Sequence, residues 1–298
     1  MQPAIPPTAF HAVVRVRRGR ILTTTAVTEQ PVSRADRWQP ALRVGLFACL
    51  VTRLAFLVFA WVTAHLWPPP PISKPALGIP WPFSAYARYD AGFFMRIAHD
   101  GYFSRGVDDV RVAFFPGYPL GGRFLATILG LGNPTAIDWF VAFSAVAWAG
   151  AAIGAVLMWR YVADNATNRA ATISVVALLA GPYSLFLMAP YSEGPFLALS
   201  LGAWLCAGRR HWTRAGVFCG LAALVRINAL FLLGGVLVRY LQDVRRRDQP
   251  ARRGEFLPLL LPLVSVGGYF AWLRVRTGHW NAWFRAQRVG WFRRTRWP

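Results

Sequence analysis

A carboxylate in an unfavourable position is the first feature of this sequence that suggests chemistry. If the stretch around Asp90 forms a helix at about 100° per residue, Asp90 falls inside an apolar arc whose members lie within roughly 60° of one line. The arc consists of Tyr86, Phe93, Phe94 and Ile97. An unpaired buried charge is costly, so we take Asp90 as a candidate functional residue. A charge at a helix N-terminus and a paired structural aspartate stay open as alternatives.

Two further polar sites interrupt the apolar sequence, Glu193 in one place and Arg226 with Asn228 in another. An acidic base, a second acid and an arginine fit transfer of a sugar from a lipid phosphate. The base would take the acceptor hydroxyl proton, and the guanidinium would neutralise the leaving phosphate. Because a departing monophosphate needs less help than a pyrophosphate, we expect no metal and no cofactor. Glu193 as a helix-terminal charge and Arg226 as a structural ion pair stay open.

The other titratable residues favour structural interpretations. His99 precedes Asp100 but has no further ligand nearby, which argues against a metal site. Asp108 and Asp109 are typical of a solvated loop. The cysteines lack CxxC spacing and lie in apolar segments, so we expect neither a disulfide nor a metal centre. They are Cys49, Cys206 and Cys219.

The composition is that of a multi-pass membrane protein. Of 298 residues, 55% are apolar, and the mean hydropathy is +0.36. The net charge of +21 comes from arginines that lie mostly between apolar segments. Positive loops on the cytoplasmic side and contact with anionic membrane lipids explain this charge better than nucleic acid, for which no recognition motif is present.

The pattern along the chain predicts a flexible basic cytoplasmic tail over residues 1–40 and one membrane domain over residues 41–298. A first span at 44–67 carries Arg53, which we expect to face protein or to reach the membrane surface. Further helices are predicted at about 137–159, 171–189, 195–208, 215–241 and 256–274.

Placing the three basic loops on the cytoplasmic side puts Glu193 on the outer side with Asp90. The segment 215–241 then has both ends inside, so it should be two short helices whose apex carries Arg226 and Asn228 at membrane depth. The same count of membrane crossings predicts that the segment 112–134 enters and leaves the membrane on the outer side as a hairpin. A full span is the alternative. After residue 274, Arg285 and Arg288 lie in a Trp-rich stretch that suits an interfacial helix in contact with lipid phosphate.

The order of several short motifs resembles the PIG-V family, whose eukaryotic member is the second mannosyltransferase of GPI-anchor synthesis. The matching stretches cover about residues 45–295. They are Arg88–Tyr102, Phe114–Leu120, Pro190–Phe196, Gly220–Arg226 and Thr277–Trp291. Tyr89 departs from the family pattern, which often has tryptophan at that position.

The resemblance implies an all-α, polytopic transmembrane helical bundle of the GT-C type, whose first extracytoplasmic loop carries an interfacial helix. It also implies transfer of mannose from a polyprenyl-phosphate donor, with inversion, at the extracytoplasmic face of the plasma membrane. Asp90 would be the catalytic base and Glu193 a second acid at the same cavity. By their place in or near these motifs, we assign to substrate binding Arg88, Tyr89, Tyr118, Tyr191, Arg226, Asn228, Arg285 and Arg288.

The acceptor is expected to be a glycolipid or a surface glycan. Relatives usually continue with further membrane helices after the point that corresponds to Pro298, so a partner chain supplying such helices is one expectation. Two rival functions stay open: transfer of another sugar from a similar carrier, and binding or translocation of lipid without catalysis.

Overall fold

A computed structural model describes residues 37–66, 76–104, 106, 109–246 and 253–291, all within one unit, Arg34–Pro298. The regular structure of these residues is helical, and no strand occurs among them. The helices are α1 (Trp38–Leu66), α2 (Asp90–Asp100), α3 (Gly117–Leu129), α4 (Ala136–Asn165), α5 (Asn168–Ala180), α6 (Leu185–Met188), α7 (Glu193–Gly208), α8 (Trp212–Val225), α9 (Ala229–Arg245), α10 (Arg253–Phe256), α11 (Leu261–Thr277) and α12 (Ala282–Trp291).

Three helical stretches in the described part of the chain are long and apolar enough to cross a membrane, namely Trp38–Leu66, Ala136–Asn165 and Gly254–Thr277. A fourth candidate is the pair Asn168–Ala180 and Pro182–Met188, if the two pieces form one bent span. The described part of the chain is therefore all-helical, with three to four possible membrane spans. The first stretch is only 17% buried, and its exposed Leu and Phe side chains suit contact with lipid.

The central helix is α4, which packs against α1, α3, α5 and α7. A capping box at Thr135 and Asp138 starts it. Small residues allow α7 to lie directly on it: a Cβ added to Gly194 would come within 2.2 Å of the Ala147 carbonyl oxygen. This close approach fixes the first turn of α7, and with it Glu193.

Two predictions concern whether a helical segment is continuous, and they have opposite outcomes. The predicted single helix over 171–189 is wrong, because the chain bends by 60° between Asn168–Ala180 and Pro182–Met188. Pro182 has no N–H to continue the helical ladder, which explains a break there. The predicted division of 215–241 is confirmed: α8 ends at Val225, Arg226 is extended with φ −150° and ψ 139°, and α9 begins at Ala229.

The remaining expectations concern the N-terminal tail, Arg53 and the segment 112–134. Of the predicted tail, residues 1–36 lie outside the described residues, and 38–40 belong to α1. Arg53 is buried and donates from Nη2 to the Leu187 carbonyl oxygen at 2.9 Å, so it faces protein, which is one of its two predicted alternatives. The predicted hairpin region contains one helix, α3, preceded by the 3-10 turn Val110–Ala113.

Candidate functional site

Asp90 is the first residue of α2, and the backbone immediately before it is strained. Tyr89 has φ 52° and ψ −121°, a conformation that an L-residue adopts at a cost of about 1–3 kcal/mol. Two hydrogen bonds to the preceding carbonyl accompany this conformation: the Arg88 carbonyl accepts from the Tyr191 hydroxyl at 3.1 Å and from the Ala91 N–H at 3.2 Å. Local strain of this kind concentrates at functional sites.

The helical face predicted around Asp90 is partly wrong. Tyr86 precedes the helix, and its hydroxyl donates to the Leu57 carbonyl on α1. Phe94 and Ile97 are buried as expected. Asp90 itself is half-buried at the N-terminus of α2, where the helix dipole favours a carboxylate. This position is one of the alternatives that the sequence left open, and it keeps the side chain partly accessible.

Tyr191 connects Asp90 with Glu193. The tyrosine is buried and packs with Ala91 and Ala189. Burial raises the pKa of its hydroxyl to about 12, and the charges of Asp90 and Glu193 both contribute to the rise. Two carboxylates from distant parts of the sequence are therefore close enough to one phenol to act on it together.

Arg226 forms an ion pair with Glu193. Its Nη1 lies 2.6 Å from Glu193 Oε1, and the two side chains are 35% and 29% exposed. The same Nη1 donates to Ser192 Oγ at 3.0 Å. The arginine is therefore neutralised within the site, as the structural alternative for this residue proposed. A guanidinium has five N–H donors, so contacts through Nη1 alone leave it further capacity for an anion.

The other predicted binding residues differ in what they expose. Tyr89 is 82% exposed beside Asp90, and Asn228 is exposed at the start of α9 without making a side-chain cap. Arg88 is half-buried. Tyr118 is only 1% exposed, and its hydroxyl donates to the Phe143 carbonyl at 2.9 Å. In this structure Tyr118 is a packing residue rather than an open polar contact.

The helix α12 lies against the turn before α3 and reaches α2. Trp283 donates from Nε1 to the Ala113 carbonyl at 3.0 Å, and the Trp291 ring lies 5.8 Å from that of Phe93. Phe93 is one turn after Asp90, so the end of α12 approaches the acidic site. On α12, Arg285 is half-buried and Arg288 is exposed.

The interpretation of Asp109 as a solvated residue is wrong. Asp109 is buried, and its Oδ2 accepts from Arg111 Nε at 2.9 Å. Arg111 is also buried, and its Nη1 lies 3.6 Å from Asp100 Oδ2. The three charged side chains therefore stabilise the connection between α2 and α3. The sequence reasoning also missed Ser192, which is 2% exposed and orients Arg226. Its position next to Glu193 was the available signal.

An open apolar groove of about 530 Å³ lies between α2, α3, α8 and α11. Its lining includes Ile97, Pro119, Leu224, Val264 and Trp272. Leu224 lies in the last turn of α8, so the groove and the ion pair lie at the same end of that helix. The shape and apolar lining suit a hydrocarbon chain.

Across the residues that the structure describes, no group of three or more His, Cys, Asp or Glu side chains could hold a metal ion. The described residues thus form a helical protein with three to four possible membrane spans and a candidate site of two acids and one arginine. No family model, curated protein or solved structure matches the chain.

Proposed function

We propose that this protein transfers a sugar, mannose by its resemblance to the PIG-V family, from a polyprenyl-phosphate donor to a glycolipid or glycan acceptor. The proposal includes a GT-C-type bundle, a metal-independent inverting mechanism and a site on the outer face of the plasma membrane. The observation that supports it most directly is that Asp90 and Glu193 both act electrostatically on Tyr191, while Glu193 also forms an ion pair with Arg226.

In this proposal Asp90 is the general base. The acceptor hydroxyl oxygen attacks the anomeric carbon, the bond from that carbon to the phosphate oxygen breaks, and Asp90 takes the hydroxyl proton. The helix N-terminus favours the ionised carboxylate that this step requires. Strain at Tyr89 and the bond from Tyr191 to the Arg88 carbonyl hold the base in place. Proton transfer is faster when the base is held in the geometry that the reaction requires.

Arg226 binds the leaving phosphate in this mechanism, and Glu193 with Ser192 orients it. Both contacts use Nη1, so the phosphate would take the donors on the other guanidinium nitrogen atoms. The phosphate gains charge as the sugar leaves, so a fixed guanidinium stabilises the transition state more than the ground state. The apolar groove that begins near Leu224 would hold the polyprenyl chain.

The test is transfer of radiolabelled mannose from polyprenyl-phosphate mannose into lipid extracts by membranes that contain the protein. Asp90→Asn should lose at least about 100-fold of the rate, because positioned general bases contribute 10²–10⁴-fold. Asp100→Asn is the comparison variant, since it makes the same change at the other end of α2, about 15 Å away. It should retain most of the activity. Thermal melts of both variants check folding, because Asp100 lies 3.6 Å from buried Arg111.

Three outcomes separate the proposal from its rivals. Equal rates for wild type and Asp90→Asn would show that Asp90 is not the base. Transfer of glucose or arabinose, but not of mannose, from the same carrier would identify a different donor sugar. If correctly inserted protein transfers none of these sugars, with or without a partner chain that supplies further helices, the non-catalytic lipid-binding alternative takes precedence.

A further inference from the structure

A second cavity, of about 490 Å³, lies at the opposite end of the α7–α8–α9 group from Arg226. It is lined by the end of α7, the start of α8 and the last turns of α9. Because α7 has 16 residues, about 24 Å of helix separates its two ends. The lining comprises Trp204, Ala207, Gly208, Arg210, Trp212, Gly235, Val238, Arg239, Gln242, Asp243 and Arg246.

The cavity carries an excess of positive charge. Of its three arginines, Arg210 forms an ion pair with Asp243 at 2.7 Å, and Asp243 is the single acid in the lining. Among the described residues, no acid forms an ion pair with Arg239 or Arg246. Arg239 and Arg246 therefore line the same space, and the one acid of the lining, Asp243, is paired with Arg210. Such a space favours an anion.

Arg239 is held in a geometry that suits a phosphate. Its guanidinium lies over the Trp204 ring, 5.2 Å from the centroid. A Cβ added to Gly208 would come 3.0 Å from Arg239 Nη2, so the absence of a side chain there makes room for the guanidinium. Stacking on a ring leaves the in-plane N–H edge for a ligand, and that edge matches two phosphate oxygens.

The wall of the cavity also contains an unused donor. Trp212 is 2% exposed, and within the described residues its indole Nε1–H has no hydrogen-bond partner. An unsatisfied buried donor costs about 1–3 kcal/mol, so such groups call for an explanation. The nitrogen is closed off from solvent in this structure, so a ligand oxygen reaches it only if the cavity wall moves.

We propose that this cavity binds a phosphate group, presented either by an anionic lipid headgroup or by a soluble phosphate. The site is separate from the acidic site, and the proposal does not depend on sugar transfer. By the positive-inside pattern its arginines are on the cytoplasmic side, where anionic lipids are concentrated. Arg239 and Arg246 are the residues expected to contact the phosphate.

The test uses the full chain in detergent and fluorescent short-chain phosphatidylglycerol, with phosphatidylcholine of the same chain length for comparison. Arg239→Gln and Arg246→Gln should each weaken phosphatidylglycerol binding about tenfold, the usual effect of losing a charge-assisted hydrogen bond. Arg245→Gln is the matched control, because Arg245 is exposed on the same helix but does not line the cavity. It should bind like wild type. Thermal melts of each variant check folding.

Inorganic phosphate separates the two sources of the ligand. Competition at millimolar concentration, with loss of that competition in Arg239→Gln, would identify a site for soluble phosphate. Selective binding of phosphatidylglycerol without such competition would identify a lipid headgroup site. Equal weakening by Arg245→Gln and Arg246→Gln would overturn the proposal, because attraction would then reflect total charge. Equal binding of the two lipids, together with no phosphate binding, would also overturn it.

Discussion

Removing the two members of the Glu193–Arg226 pair, singly and together, distinguishes a structural ion pair from a phosphate-binding one. The relevant variants are Glu193→Gln, Arg226→Gln and the double variant. The pair joins the start of α7 to the residue after α8 at 2.6 Å, and each side chain is about one third exposed. A structural pair and a phosphate-binding pair predict different relations between lost stability and lost activity.

The exposure sets the expected effect on stability. Water screens a pair of this kind, so it contributes about 1 kcal/mol or less to the free energy of unfolding. Each single variant should lose about that amount, and the double variant should lose little more, because the same interaction is removed once.

The expected effect on activity is larger than that on stability, and it differs between the two single variants. If Arg226 also binds the leaving phosphate, its loss removes about 1.5–3 kcal/mol of transition-state stabilisation, or about 10- to 150-fold in kcat/KM. Glu193→Gln leaves the guanidinium in place and removes only its orienting partner. We therefore expect about tenfold or less from that variant.

The assay combines thermal unfolding in detergent with the rate of sugar transfer for all four proteins. Equal losses of activity in the two single variants, matched by equal losses of stability, would refute a phosphate contact by Arg226. A loss of stability well above 3 kcal/mol in either single variant would refute the screening argument, since that size belongs to buried pairs.

Three further predictions concern stability. Gly194→Ala should destabilise by about 1–3 kcal/mol in a thermal melt, because its Cβ would lie 2.2 Å from an α4 carbonyl, whereas Gly267→Ala, with no atom within 4 Å, should not destabilise. Asp109→Asn should cost about 3 kcal/mol by removing the nearer of the two carboxylates that neutralise buried Arg111, the other being Asp100, and a small loss would contradict the buried pair. Wild type should lose stability as the pH rises from 10 to about 12, since the folded-state pKa of Tyr191 is raised above its usual value of 10; Tyr191→Phe should lose less over the same range in parallel melts.

Several parts of the fold could be predicted from hydrophobic periodicity and from the positions of the charged residues. The break at Arg226 followed from placing basic loops on one side, because a segment with both ends on the same side cannot be one span. The bend at Gly181–Pro182 was equally readable, since proline interrupts the helical ladder, yet hydropathy alone joined the two pieces. Composition indicated a helical membrane protein, and the structure is all-helical with three to four possible spans in its described part.

The environment of Asp90 was less accessible, because it depends on contacts between distant residues. The positive φ of Tyr89 is unusual for a residue other than glycine, and no local pattern predicts it. It is accompanied by the hydrogen bond from Tyr191 to the Arg88 carbonyl, across 103 positions of sequence. Likewise, the burial of Asp109 depends on Arg111, whose guanidinium turns inward instead of toward solvent.

The contact between Glu193 and Arg226 was partly predictable from the sequence. The helices α7 and α8 have 16 and 14 residues, and only residues 209–211 connect them. Two antiparallel neighbours of nearly equal length with a short connection must bring the start of the first helix to the end of the second. The charge pattern predicted Asp90, Glu193 and Arg226 near one outer cavity, and correct helix bounds would also have predicted the contact of Glu193 with Arg226. They could not have predicted how closely Asp90 approaches that pair. That placement depends on Ala91 and Tyr191 packing together, which links the start of α2 to the start of α7.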